Sequence, residues 1–327
     1  MNGAPLVSVC VIVYNQAQYV RQALDSVFAQ QTSFEYEVVV GDDCSTDATG
    51  SIVAEYAERY GSLRLITSGA NTECKGIIEA VRAAARGEYL AWLEGDDFWL
   101  DSRKLEKQAE FLRAHPEYIG CTGEVCFVDE AGAPTVGFSF KRYSKRRRFT
   151  LEDAADGYLP GQTSSLMYRN VFRELDDNTT AAFRECDSIG DMKIAQFLTL
   201  FGDIYRLPEK LSAYRYLTTG ESFSARTKGV NLSEAYLHWA LERKRMAETV
   251  LGRNVSFYKT LRDICYHAWV EYLQHPNSDN LRVLRRVRKR VGRPLATGAY
   301  IAWRTLGYPF RRVAGAFGRT TVREENA

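Results

Sequence analysis

Apolar positions in the first hundred residues come in short bursts. They occupy 6–14 (LVSVCVIVY), 36–40 (YEVVV), 63–67 (LRLIT) and 89–93 (YLAWL). The first burst is rich in β-branched residues and nearly unbroken, as expected of a strand covered on both faces. Between the bursts, 19–30, 47–60 and 76–85 carry helical patterns. Strand–helix alternation at this spacing predicts βαβ units, a parallel sheet and right-handed crossovers. Further on, 104–114 reads as an amphipathic helix ended by His115-Pro116, 118–128 and 164–168 as strands, and 188–201 as a helix. The polar, glycine-bearing stretch 217–229 predicts a mobile loop. From about 230 the pattern becomes helical throughout, at 232–251, 256–274 and 281–291. The organisation expected is an α/β domain over 1–230 followed by a helical extension over 231–327.

Composition adds limits. A chain of 327 residues, 45% hydrophobic and 26% charged, can bury a sizeable core, which excludes disorder as its main state. No stretch is apolar enough to span a membrane, and the N-terminus lacks the pattern of a signal peptide. Seven scattered Cys, none in a paired CxxC cluster, predict reduced thiols in a cytoplasmic protein, and the four His show no metal-ligand spacing.

The net charge of +2 hides an asymmetry. Residues 281–323 hold 12 Lys/Arg and no Asp/Glu, leaving a formal charge of −8 on residues 1–280. Leu281, Leu284, Val287 and Val291 share one helical face of that tail, and Tyr300, Trp303, Tyr308, Phe310 and Phe317 follow among arginines. Two readings stand: a helix packed on the rest of the chain with a solvated basic face, or contact with an anionic membrane surface. Nucleic acid is not expected, since no recognition motif accompanies the charge. The basic run at 141–148 (KRYSKRRR) reads as a solvated loop or as a contact for acceptor or phosphate.

The candidate chemistry lies where ligands bind in an open parallel sheet, beyond the carboxyl ends of the strands. Tyr14-Asn15 follows the first strand. Gly41-Asp42-Asp43-Cys44-Ser45-Thr46-Asp47 follows the second, and Glu94-Gly95-Asp96-Asp97 the fourth. Carboxylates gathered on one rim repel one another, and a divalent cation is their usual compensator; oxygen ligands suit Mg²⁺ or Mn²⁺. Asp47 also suits the start of the next helix as a cap.

In order, spacing and strand context, these segments resemble the family 2 glycosyltransferases of GT-A fold over about residues 6–225. The resemblance implies an inverting transfer of a sugar from a nucleotide-diphosphate sugar, a UDP-sugar by preference, to a saccharide or lipid-linked acceptor. It implies a place in bacterial polysaccharide or lipopolysaccharide assembly. Position by position, it implies that Asp42 and Asp43 belong to the donor site, with Asp43 reading the base. Tyr14 and Asn15 would line the base and ribose pocket. Asp96 and Asp97 would meet the ribose and a Mn²⁺ or Mg²⁺ ion, and Glu94, longer than the Asp of many relatives, would stand off from it. Asp191, in Cys186-Asp187-Ser188-Ile189-Gly190-Asp191, would be the catalytic base, with Asp187 as rival. Arg215 would pair with the donor's phosphate or with a core acid. The His that many relatives carry after Tyr214-Arg215 is missing here.

Two other classes remain. A metal-dependent nucleotidyltransferase should carry a basic glycine-rich loop after the first strand, which Tyr14-Asn15-Gln16 does not supply. A non-catalytic module binding sugar nucleotides or membranes would keep the donor site without turnover.

Overall fold

In the computed structural model, residues 4–135, 143, 144, 146–217 and 231–306 are described. The first apolar burst forms β1 (Val7–Val13), buried at every position. Its side chains divide by parity, as the pleat of a strand dictates. Val7, Val9, Val11 and Val13 pack into one core, and Cys10 and Ile12 into another on the opposite face. Burial on both faces explains why the run lacks polar alternation.

Parallel to β1 run β2 (Tyr36–Asp42), β3 (Leu63–Thr67) and β4 (Tyr89–Glu94), in the order β3-β2-β1-β4. The helices α1 (Val20–Phe28) and α2 (Thr49–Arg59) close the first core with Val20, Leu24, Val27, Ile52 and Val53. The second core is closed by α3 (Lys75–Ala84) through Ile77 and Val81. Asp47 accepts a hydrogen bond from the Thr49 amide at 2.9 Å, so it does serve the start of α2.

The second half of the chain extends the sheet with both strand directions. Its elements are β5 (Phe98–Trp99), α4 (Lys104–Ala114), β6 (Tyr118–Val128), β7 (Arg148–Phe149), α5 (Leu151–Ala155), β8 (Met167–Arg169), α6 (Asp177–Glu185), α7 (Gly190–Leu198) and β9 (Asp203–Arg215). β8 is antiparallel to both β4 and β6, β9 is parallel to β6, and the short β5 and β7 lie antiparallel to β9. The outcome is the expected α/β architecture with a mixed sheet. The strand expected at 164–168 begins later, at Met167, because Thr163–Ser165 form a 3₁₀ turn closed by the Gln162 side chain, which accepts from the Ser164 amide at 2.6 Å. The loop expected at 217–229 lies, past Leu217, outside the described residues.

Four helices follow: α8 (Ser233–Leu251), α9 (Tyr258–Gln274), α10 (Ser278–Val291) and α11 (Pro294–Leu306). They share a core of their own that includes Leu237, Phe257, Leu261, Ile264 and Leu284, with Ala155 of α5 joining it. The apolar stripe of α10 is spent on this packing, since Leu284, Val287 and Val291 are buried while Arg282, Arg285, Arg288 and Lys289 face water. No helix among the described residues is long and apolar enough to cross a membrane. All seven cysteines are free thiols.

Candidate active site

Because β1, β2 and β4 are parallel, the loops after them emerge on one edge of the sheet. The register pairs Val13 with Asp42 and Ile12 with Glu94, which seats the turn after β1 between the two acidic turns. The Asp43 amide donates to the Val13 carbonyl at 3.0 Å and the Gly95 amide to the Ile12 carbonyl at 2.9 Å. Gly95 is required by this approach. A Cβ there would stand 2.7 Å from Val13 Cγ1 and collide with the Gln16 side-chain amide.

The turn after β4 closes when the Asp97 amide donates to the Glu94 carbonyl at 2.9 Å. It gathers Glu94, Asp96 and Asp97 so that one carboxylate oxygen from each lies within 4.8 Å of the others. Asp97 is 1% exposed and pinned from two sides. It accepts from the Arg215 amide at 2.9 Å and from the Gln162 side chain at 2.7 Å. Asp96 is half-buried and accepts from Gln16. Glu94 opens onto a cleft yet is walled by protein, and that enclosure pushes its carboxyl up to about 8, with the charges of Asp96 and Asp191 adding to the rise. Burial also raises Asp96, and it raises Asp97 well above the usual range with help from the charges of Asp96 and Glu94. An all-oxygen set under mutual repulsion fits a hard divalent cation, which would offset that repulsion. Glu94, expected to stand off, is part of the set.

The turn after β2 is knitted differently. Asp42 is buried and accepts from the Ser45 amide and hydroxyl at 3.0 and 2.6 Å. Asp43 is wholly buried, and its two oxygens already accept from the Ser68 and Thr72 hydroxyls and from the Thr72 and Cys74 amides. Despite burial, these donors hold its carboxyl below the usual range. Asp43 therefore fastens the chain between β3 and α3 against this edge. Asn15 sits at φ 49° and accepts from the Thr46 amide at 2.8 Å, tying the first loop to the second. Tyr14 precedes it, half-buried.

Arg215 is 3% exposed, and its side chain is committed inside the protein. Nε donates to the Asp96 carbonyl at 2.8 Å, Nη1 to the Asp129 and Glu130 carbonyls at 3.2 and 2.7 Å, and Nη2 to Gln22 at 2.6 Å. The guanidinium lies 4.6 Å from the Tyr19 ring centroid. The side chain meets carbonyls and an amide, and its charge acts on the Asp96 carboxyl, so it clamps the acidic turn from behind.

A cleft of about 710 Å³ runs from Glu94 to the start of α7, with Asp191 in its lining. Asp191 occupies the first turn of α7 and accepts from the Met192 amide at 2.6 Å. Its charge reaches Glu94, so the two acids face one site. Asp187 lies in the same lining but is paired with Lys75 at 3.0 Å and His238 of α8 at 3.2 Å, and these partners hold its carboxyl low. Two tyrosines that sequence reasoning missed as a pair belong here. Burial raises the hydroxyls of Tyr143 and Tyr214, and both feel the charges of Glu94, Asp97 and Asp191. Gln162 was missed too; only the fold brings it to Asp97. In the basic run, Arg146 pairs with Asp153 and Arg148 with Asp203.

Comparison with known proteins gives a consistent picture. Residues 8–175 match the model of the family described as glycosyl transferase family 2. An uncharacterized protein of Mycobacterium tuberculosis is 39% identical over 222 residues, which is 67% of this chain and 61% of the relative. The chain thus spans about three fifths of that relative's length. Among solved structures, Staphylococcus aureus TarS (residues 1–349) in complex with UDP-GlcNAc superposes with a TM-score of 0.56 and 16% identity, over 86% of this chain and 79% of TarS. The mannosyltransferase PcManGT from Pyrobaculum calidifontis, with GDP-Man and Mn²⁺, gives 0.50 and 18% over 95% of this chain and 83% of PcManGT. At these identities the two structures establish a shared GT-A fold.

Proposed function

The chain belongs to glycosyl transferase family 2, and from that premise we propose that it transfers a sugar, with a divalent metal, from a nucleoside-diphosphate sugar to a saccharide or lipid-linked acceptor. The observation that carries this reading is that Glu94, which clusters with Asp96 and Asp97, and Asp191 line one cleft. The TarS and PcManGT complexes, with a UDP-sugar and with Mn²⁺, support it through the fold they share with this chain. We take the donor to be a UDP-sugar.

In this reading each residue has a stated task. Asp96, with Glu94 and Asp97, would hold Mn²⁺ or Mg²⁺, which would supply Lewis-acid stabilisation of the departing diphosphate. Tyr14 and Asn15 form the wall for base and ribose, and Asp42 and Asp43 keep that wall in shape. Arg215 and Gln162 lock the acidic turn, a preorganisation that lowers the cost of binding. A carboxylate oxygen of Asp191 accepts the proton of the acceptor hydroxyl while that oxygen displaces the nucleotide in line, inverting the sugar carbon. Residues 1–230 form the catalytic unit and 231–327 the extension.

The extension supports a setting at the inner face of an anionic membrane, where lipid-linked acceptors for surface polysaccharide or lipopolysaccharide would be at hand. The helix α10 exposes a basic face, and the following α11 exposes Leu295 and Trp303, at 90% and 66%. Replacing Arg285, Arg288 and Lys289 by Gln should release the protein from anionic vesicles in sedimentation; unchanged sedimentation would remove the membrane reading. The donor reading is tested by thermal stabilisation with a panel of nucleotide sugars, with and without Mn²⁺. One nucleotide sugar should stabilise the chain only when the ion is present. Stabilisation by none of them would count against the site.

A further inference from the structure

The far end of the cleft is chemically opposite to the acidic end. There Arg82 of α3 and Lys193 of α7 lie against aromatic rings. The Arg82 guanidinium is 5.7 Å from the Trp92 ring centroid, 4.5 Å from that of Phe172 and 5.0 Å from that of Phe183, and the Lys193 ammonium is 4.4 Å from the Phe183 centroid. Among the described residues neither cation forms an ion pair, although both line the cleft. Arg82 bonds to the Tyr168 hydroxyl, which also accepts from the Trp92 indole at 2.7 Å, and its Nε has no hydrogen-bond partner. Two cations stand close together on an apolar bed with their charge unmatched at contact distance. The acids nearest Lys193 are Glu79 and Asp187, and Asp187 is already held by Lys75 and His238. Burial lowers the Lys193 ammonium, and the charge of Arg82 lowers it further.

The spacing to the reaction centre follows from the strand. Trp92 and Glu94 are two residues apart on β4, so they point to the same face about 7 Å apart. That leaves room for roughly one sugar ring between the Arg82–Trp92 end and Glu94. Resting on the transfer reading above, we propose that Arg82 and Lys193 form an acceptor subsite for an anionic group, a phosphate or a carboxylate carried on or beside the sugar that receives the transfer. The acidic end repels that group and the basic end holds it, so the cleft admits such an acceptor in one orientation, hydroxyl toward Asp191. A planar guanidinium beside a mobile ammonium suits the oxygens of either anion.

The test uses the full chain, titrated with a hexose phosphate, a hexuronic acid and the matching neutral methyl hexoside, alone and with UDP and Mn²⁺ present. Binding of at least one anionic sugar, weakening as salt rises, is expected, with the neutral sugar much weaker. The phosphate and uronate arms separate the two sources of charge. Arg82→Met should weaken the anionic probe by about tenfold to a hundredfold, the effect of losing one charged hydrogen bond. Lys193→Met should act in the same direction, and it keeps the test valid if Arg82→Met fails to fold. UDP affinity with Mn²⁺ should stay at the wild-type value in both variants, since neither residue touches the donor turns; loss of UDP binding in the wild type would instead remove the transfer reading. Equal binding of charged and neutral sugars, no binding of either anionic probe, or wild-type binding by a folded variant would overturn the subsite.

Discussion

Replacing Arg215 by Met separates a clamp from a phosphate ligand. The side chain makes four hydrogen bonds, to the Asp96, Asp129 and Glu130 carbonyls and to Gln22, in a position 3% exposed. Met fills much of the volume and removes all four. A hydrogen bond from a charged group contributes about 1.5–3 kcal/mol, and carbonyls that can turn toward water recover part of the loss. A total of about 3–5 kcal/mol follows, or a fall in Tm of about 6–20 °C at the 2–4 °C per kcal/mol of a domain this size. The bond from the Arg215 amide to Asp97 survives, because it belongs to the backbone. The assay is calorimetric melting in the absence of nucleotide, followed by UDP and Mn²⁺ titration well below the transition. A large drop in Tm with a modest loss of affinity is expected, as Asp96 loses its brace. A Tm within about 2 °C of wild type, with affinity abolished, would refute the clamp and return Arg215 to the donor's phosphates.

Three other expectations follow from the same contacts. Asp191→Asn should leave UDP and Mn²⁺ binding intact and slow transfer by about 10²–10⁴-fold, the usual contribution of a positioned base; wild-type turnover would exclude it from that task. Gly95→Ala should weaken donor binding with little change in the helices, because the new Cβ would meet Val13 and Gln16 and shift the acidic turn; circular dichroism and UDP titration check it. Lys104 is wholly buried beside Trp99 and Gln108, and burial lowers its ammonium to about 7, against roughly 10.4 when unfolded. Between those values the unfolded chain binds a proton that the native one releases, so this residue makes stability rise with pH, by up to about 3 kcal/mol from pH 7 to 10. Denaturant melts of Lys104→Met should lack that rise relative to wild type, and parallel pH profiles would contradict it.

Much of the fold was legible because periodicity and burial coincide. β1 is apolar throughout since both its faces are covered, and the helix at Lys104–Ala114 and the strand at Tyr118–Val128 have the bounds their patterns gave. The acidic turns were legible because parallel strands place them on one edge. What each acid does there was less so. Asp43 looks free in a sequence, but its donors come from Ser68, Thr72 and Cys74, a segment that only the packing of α3 brings to it. The sequence left the partner of Arg215 open, because the carbonyls of Asp129 and Glu130 that its guanidinium meets come from a distant turn. The pairing of Arg82 with Lys193 joins two helices more than a hundred residues apart, a distance at which no local pattern carries information.

The account turns on a cation held where β4 ends. Calorimetric titration of UDP into wild type and Asp96→Asn, each with Mn²⁺ and with a chelator, tests it most directly. Tight binding by the wild type with Mn²⁺, loss of that binding under chelation, and weak, metal-indifferent binding by Asp96→Asn are predicted. UDP affinity in the wild type that is the same with Mn²⁺ as with chelator would contradict it.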